Sequence, residues 1–246
     1  MSHHDQADRV ALVTGASHGI GLEVVRQLAE RGATVYLTAR SEQKAEEAVA
    51  QLGGGHGSVS PLALDVNNED SVRHAAAEVE REHGRLDILV NNAAQFADWQ
   101  EMPSSADLDA ARQVVETNLF GLWRVTQAFL PLLRASKSGR IVNVTSGAGS
   151  HGDEKFGLTA NGGSAASYGV SKAAANALTS KLASEFDGSD LLINAVDPGL
   201  TATTPGMEEM GARPITDGAA SVVWAATLGN DGPSGGFFRD GNRHPW

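Results

Sequence analysis

The sequence predicts an α/β fold, a doubly wound parallel sheet with helices on both faces, built as a single domain over residues 1–246. Three observations predict it. Short apolar runs alternate with helix-patterned stretches from end to end, the order that a parallel sheet with crossover helices requires. The first run, Val10-Ala11-Leu12-Val13, passes straight into a glycine-rich turn and then an amphipathic stretch. The polar residues suited to chemistry all fall at or just past the ends of the runs, where open parallel sheets bind ligands.

The first strand is followed by Thr14-Gly15-Ala16-Ser17-His18-Gly19-Ile20-Gly21 and by a helix with Ile20, Val24, Val25 and Leu28 on one face, closed by Gly32. Such glycines turn the chain, and they also let backbone and a helix N-terminus approach a phosphate. Thr34 to Thr38 is the second strand. It ends at Ala39-Arg40, where a carboxylate would read a ribose 2′-hydroxyl and a guanidinium would hold a 2′-phosphate. Arg40 as a solvated surface charge is the alternative; Lys44 lies one turn on. A helix over 42–52 leads to the flexible Gly53–Gly57 loop. Val59 to Leu64 is the third strand, and Asp65 after it either contacts an adenine or caps the helix over 71–83. Leu86 to Val90 is the fourth strand, followed by Asn91-Asn92-Ala93-Ala94, with Asn91 also suited to tying strand ends together.

Residues 107–134 form the longest helical stretch. Asn118 within it is a poor helix former, which a kink, a water site or plain exposure would explain. Ile141 to Val144 is the fifth strand, ending at Thr145-Ser146. A glycine-rich stretch over 147–166 precedes a helix over 167–186 that opens with Tyr168 and Lys172, one turn apart on one face. A nearby ammonium favours a phenolate, which would make this tyrosine a general acid near neutral pH. Alone, the pair is a common coincidence. Leu192 to Val196 is the sixth strand, followed by Asp197-Pro198-Gly199. A mobile loop over 200–215, a helix over 216–228 and a last strand over Gly235–Arg239 complete the order.

Composition narrows the classes. A hydrophobic content of 41% supports one sizeable core, and a formal net charge of −11 argues against a nucleic-acid or polybasic membrane surface. The chain has no cysteine, which removes disulfides, thiolate metal sites and cysteine nucleophiles. No apolar run reads as a signal peptide or a membrane span, so the expected location is cytoplasmic. His3 and His4, native or a cloning remnant, make no metal site by themselves.

Five motifs in one order, Thr14–Gly21, Asn91–Ala94, Asn118, Ser146 with Tyr168 and Lys172, and Pro198-Gly199, make the chain resemble the short-chain dehydrogenases/reductases of the ordinary type, over residues 8–240. The resemblance implies a Rossmann-like sheet of seven parallel strands and NADP(H)-dependent, reversible reduction of an aldehyde or ketone. The alternatives are an alcohol dehydrogenase working oxidatively and a non-catalytic NADP-binding regulator. It implies that Tyr168 is the general acid/base, that Lys172 lowers its pKa and holds the nicotinamide ribose, that Ser146 orients the substrate oxygen, and that Asn118 holds a water in a proton relay. It assigns Gly15, Ser17, Gly19, Ile20 and Gly21 to the pyrophosphate and adenosine ribose. Asp65 and Val66 fall to adenine, Asn91 and Ala93 to the nucleotide site, and Thr201, after Pro198 and Gly199, to the carboxamide. Arg40, with His18 in support, implies NADP(H) over NAD(H).

Three departures qualify it. Ala94 stands where the family has glycine. The interval from Ser146 to Tyr168 is long, and this extra segment around His151 to Gly163, with the ending Gly-Gly-Phe-Phe-Arg-Asp, resembles the carbonyl-reductase-like branch. The family's dimer and tetramer surfaces use the helices at 107–134 and 167–186, and an insertion beside the second leaves homo-oligomer and monomer both open. Phe156, Leu158, Met207 and Met210 are expected around a small-molecule substrate, whereas His151 and Asp153 either touch it or are solvated loop residues.

Overall fold

The computed structural model describes residues 8–53 and 58–246. Residues 1–7, His3 and His4 among them, and residues 54–57 of the expected loop lie outside the described residues, as does the side chain of Met210. The chain forms β1 (Val10–Val13), α1 (Gly19–Glu30), β2 (Thr34–Ala39), α2 (Glu42–Gln51), β3 (Val59–Ala63), α3 (Glu69–His83) and β4 (Ile88–Asn91). It continues with α4 (Leu108–Val115), α5 (Leu122–Ala135), β5 (Arg140–Val144), α6 (Ala166–Glu185), β6 (Leu192–Val196), α7 (Ile215–Ala226), β7 (Phe237–Arg239) and β8 (Asn242–Arg243).

The sheet order is β3-β2-β1-β4-β5-β6-β7-β8. The seven expected strands are parallel, and the eighth is a correction: β8 runs antiparallel to β7. Asp240 and Gly241 both take positive φ, 53° and 75°, and reverse the chain as a tight hairpin. A two-residue strand carries no period for a sequence reading to find. Because β1 lies between β2 and β4, the chain changes winding direction there, and a crevice opens at the strands' carboxyl ends.

Successive residues of the central strands feed opposite cores. Val10 and Leu12 of β1 join one apolar cluster with residues of α3, α5 and α6, whereas Ala11 and Val13 join another with α1 and α7. Burial on both faces is why these strands read as unbroken apolar runs.

The single helix expected over 107–134 is α4 and α5 joined by a π-helical turn, Glu116–Gly121. Such turns occur often at functional sites. Asn118 sits in it, only 1% exposed, so the exposure explanation for that residue falls. In the loop after β6, Thr201 bridges to Arg213, and the Arg213 guanidinium pairs with Asp240 at 2.8 Å. Among the described residues no helix is long and apolar enough to cross a membrane.

Candidate active site

Two cavities meet the carboxyl ends of the strands. The larger, about 890 Å³, is lined by Gly15, Ser17, His18, Gly19, Ile20 and Gly21 after β1, by Arg40 after β2, by Asp65 and Val66 after β3 and by Ala93 after β4. Gly15 is held there twice over: its φ is +60°, and a Cβ would stand 2.8 Å from the Ala93 Cα. The Thr14 hydroxyl accepts from Asn92 N (2.9 Å) and Ala93 N (3.0 Å), fastening the β4 end to the glycine turn. His18 precedes α1 and makes no side-chain cap; its Nδ1 lies 3.1 Å from Ser17 Oγ instead. The first-turn N–H groups of α1 are therefore left for an outside acceptor, and an anion suits them. Arg40 and Lys44 add positive charge at the β2 end, beside the carboxylate of Glu47. These donors and this shape fit a dinucleotide.

Two assignments change on the nucleotide side. Asn91 does not line the cavity. It is buried, and its Nδ2 donates to Asn143 Oδ1 (2.9 Å) and Thr126 Oγ1 (3.0 Å), tying β4 to β5 and α5. The residue that faces the cavity is its neighbour Asn92, which holds the carbonyls of Thr14 and Gly15 at 2.9 and 3.0 Å. Strand alternation is the signal that separates the two. Asp65 does not cap α3, since Asn68 does; Asp65 Oδ1 accepts from Asn67 N at 3.0 Å in a turn before that cap.

The second cavity, about 330 Å³, is lined by Ser146 and Tyr168, with Ile20, Pro198, Gly199 and Thr201 on one side and Trp99, Phe156, Leu158 and Met207 on others. Close backbone packing brings Ser146 to Tyr168: a Cβ on Gly149 would meet Ala173 N at 2.5 Å, so the turn Gly147–Gly149 lies directly on α6. The Ser146 hydroxyl shares this cavity with the phenol of Tyr168 and favours its ionised form. Thr201 is buried, and its hydroxyl donates to the carbonyls of Gly199 (3.0 Å) and Pro198 (3.1 Å).

Lys172 is 3% exposed; its Nζ donates to the Val144 carbonyl at 2.9 Å and lies 5.5 Å from the Tyr168 ring centre. Burial pushes this ammonium down to about 8, with the Asp197 carboxylate opposing. The expectation that Lys172 lowers the Tyr168 pKa is not met in this structure. Burial pushes the phenol up to about 12, the nearby Ser146 hydroxyl opposes the rise, and the Asp197 charge adds to it. At neutral pH the phenol is therefore protonated.

Asn118 has both side-chain donors in use, to Gln95 O (2.9 Å) and Ser171 Oγ (2.9 Å), while its Oδ1 accepts from Gln95 N at 2.7 Å. The side chain is a bracket between α6 and the segment after β4. A relay water would have to be held by an acceptor, the second lone pair of Oδ1 or the main-chain carbonyl.

The long segment before Tyr168 carries the largest surprise. Asp153 is neither solvated nor aimed at the cavity. It is 8% exposed, and its Oδ2 takes hydrogen bonds from Arg239 Nη2 (2.8 Å) and His244 (3.1 Å). The Arg239 Nε also donates to the buried Asp197 at 2.9 Å. Burial would raise the Asp153 pKa, but the Phe156 and Lys155 N–H groups and Arg239 overcome it and hold it at about 2. Asp197 and Arg239 escaped the sequence reading because nothing local marks a salt bridge between residues so far apart.

The model of one family, described as short chain dehydrogenase, matches residues 9–213. The chain is 37% identical to the short-chain dehydrogenase anuI of Penicillium roqueforti, over 90% of this chain and 89% of that protein. Among solved structures it is similar to an NADPH-bound carbonyl reductase from chicken fatty liver, with a TM-score of 0.83, 28% identity and coverage of 98% and 99% of the two chains. It is also similar to salutaridine reductase from Papaver somniferum, with a TM-score of 0.77, 30% identity and coverage of 94% and 99%.

Proposed function

The chain belongs to the short-chain dehydrogenase family, and we propose that it is an NADP(H)-dependent oxidoreductase that reduces an aldehyde or ketone to an alcohol, reversibly. The observation that carries this reading is that Ser146 and Tyr168 share one largely apolar cavity, with Lys172 buried against the tyrosine ring. The bound nicotinamide supplies the hydride to the carbonyl carbon, or accepts it in reverse. Ser146 donates a hydrogen bond to the substrate oxygen and fixes its orientation. Tyr168 gives its phenolic proton to that oxygen as negative charge builds there, so one hydride and one proton complete the alcohol. With the cofactor bound, Lys172 would hold the nicotinamide ribose hydroxyls beside the tyrosine ring. Arg40 and Lys44 support the preference for NADP(H), because a guanidinium offers a planar fork of donors to a 2′-phosphate. Exposed Leu108, Phe120, Trp123 and Val170, on α4, the π turn, α5 and α6, support homo-oligomer formation through the helices at 107–134 and 167–186.

The test is NADPH oxidation against a panel of aldehydes and ketones, comparing the wild type with Tyr168→Phe. Loss of the acid is expected to lower kcat by about 10²- to 10⁴-fold, with the Kd for NADPH unchanged in a fluorescence titration. A Phe variant with full activity would remove Tyr168 from the chemistry.

A further inference from the structure

The segment between β4 and α4 touches the substrate cavity and is tied to the catalytic helix at both ends. At its start, the Asn118 side chain clamps Gln95 N and O and also donates to Ser171 Oγ on α6. At its far end, Glu101 sits over the first turn of α6. The Glu101 carbonyl accepts from Ala166 N at 3.2 Å, and Oε2 of its carboxylate accepts from Ser167 N at 2.6 Å. These are orphan donors of a helix whose own preceding residue, Ala165, makes no side-chain cap and sits in the left-handed region at φ 53°. A non-glycine residue there is strained, and the Glu101 bonds on its two neighbours help to hold it. Tyr168 is the next residue after Ser167.

Between the two anchors stands a short run of rings. Phe96 meets Tyr168 edge-on, with centroids 5.0 Å apart, and Trp99 lies 4.4 Å from Phe96. Trp99 is 59% exposed yet lines the cavity, so a large apolar face is offered at its mouth. Asp98 closes the turn, its Oδ1 accepting from Gln100 N at 2.9 Å. A wall that packs on the catalytic tyrosine and is bonded to the catalytic helix cannot shift without disturbing both.

We propose that Phe96 to Glu101 is a substrate-recognising wall, with Trp99 contacting the apolar body of the carbonyl substrate, and that Glu101 is its positioning residue, locking the wall onto the first turn of α6. The substrate part rests on the carbonyl-reducing reading above; the lock does not. Glu101 acts through the backbone of Ser167 and touches no reacting atom.

Hydrogen exchange of a peptide spanning residues 165–172, read by mass spectrometry, tests the lock without any substrate. Glu101→Ala is expected to speed exchange there about tenfold, and Glu101→Gln, which keeps an acceptor, to stay near wild type. In steady-state reduction of a ring-bearing ketone, Glu101→Ala is expected to lose about tenfold in kcat/KM, restored by Glu101→Gln, with the Kd for NADPH unchanged. Trp99→Ala is expected to raise KM several-fold and leave the exchange untouched. Unchanged exchange in Glu101→Ala overturns the lock, as does a Gln variant as damaged as the Ala. Faster exchange with kcat/KM within twofold of wild type overturns the coupling to catalysis, and an unaltered KM in Trp99→Ala overturns the wall. A wild type that reduces no carbonyl sinks the functional reading instead, and the exchange experiment then still decides the lock.

Discussion

The nucleotide side and the substrate side of this site are held by different kinds of contact. On the nucleotide side the groups turned to the ligand are mostly backbone, the glycine turn after β1 and the N–H groups at the start of α1, and two side chains of adjoining strand ends, Thr14 and Asn92, brace them from behind. On the substrate side the walls are suspended by side chains from segments far away in sequence. Ser150 Oγ donates to Pro245 O, 95 residues on; Arg239 reaches Asp153 across 86; Glu101 takes Ser167 N across 66. The difference teaches that the part with fixed chemistry is carved from the sheet itself, whereas the part that meets the substrate hangs on a few removable bonds.

The largest expected break in that comparison is Asp153→Asn. An amide Nδ2 in place of Oδ2 would face Arg239 donor to donor, and Asp197 would keep only a poorly held partner. For a buried carboxylate whose cation is 30% exposed, we expect a loss of about 2 kcal/mol at pH 7, measured by urea unfolding. The pH dependence has a definite sign. Folded, the Asp153 carboxyl is held at about 2, below its ordinary 3.8, so its contribution is complete above 3.8 and is lost as the pH falls toward 2. The gap between wild type and Asp153→Asn should therefore hold from pH 7 to 5 and narrow steadily below 4. A gap that stays constant down to pH 2.5 would mean that the carboxylate charge is not what joins the segment around Asp153 to Arg239.

Legibility followed the same division. The parallel sheet, the glycine turn, Ser146, Tyr168 and Lys172 were readable because each is a local pattern: a run, a spacing, or a residue at a strand's end. The link from Asp153 to Arg239 was not. Asp153 sits in a loop whose sequence looks solvated, and only the fold brings it to Arg239 on β7 and His244 beyond β8. Asn118 was singled out by its poor helix propensity, but the π turn that buries it has no sequence signature separate from the helices it joins. The Tyr168 pKa was misjudged for a related reason. Spacing along a helix reports that Lys172 is near, but the burial that dominates both groups is a tertiary quantity.

A smaller effect sharpens the nucleotide side. Arg40→Ala removes a guanidinium from the cavity but leaves the backbone cradle intact. We expect NADPH affinity to fall by about 10- to 100-fold, the worth of charge-assisted hydrogen bonds to a phosphate, with NADH affinity nearly unchanged. Titrating both cofactors by fluorescence checks it. Equal losses for the two would place Arg40 at a shared part of the dinucleotide, or at no specific part of it.

The smallest effect separates a local motif from the site it supports. Asn68 begins α3 with its side chain accepting from Ser71 N at 3.0 Å, and Asp65 prepares the same turn through Asn67 N. Both bonds close within a few residues, so their loss should stay local. Asn68→Ala is expected to cost about 1 kcal/mol of unfolding free energy while leaving the Kd for NADPH and the KM for a carbonyl substrate within twofold. If the nucleotide side is a backbone cradle braced by neighbouring strands, a frayed first turn of α3 disturbs only its Asp65 edge, whose N–H donates to Ser71 Oγ at 3.0 Å, because Gly15, Ala93 and the start of α1 are fixed by β1 and β4 instead. A tenfold loss of NADPH affinity in this variant would show the cradle to be as dependent on single side chains as the substrate wall, and the contrast between the two sides would disappear.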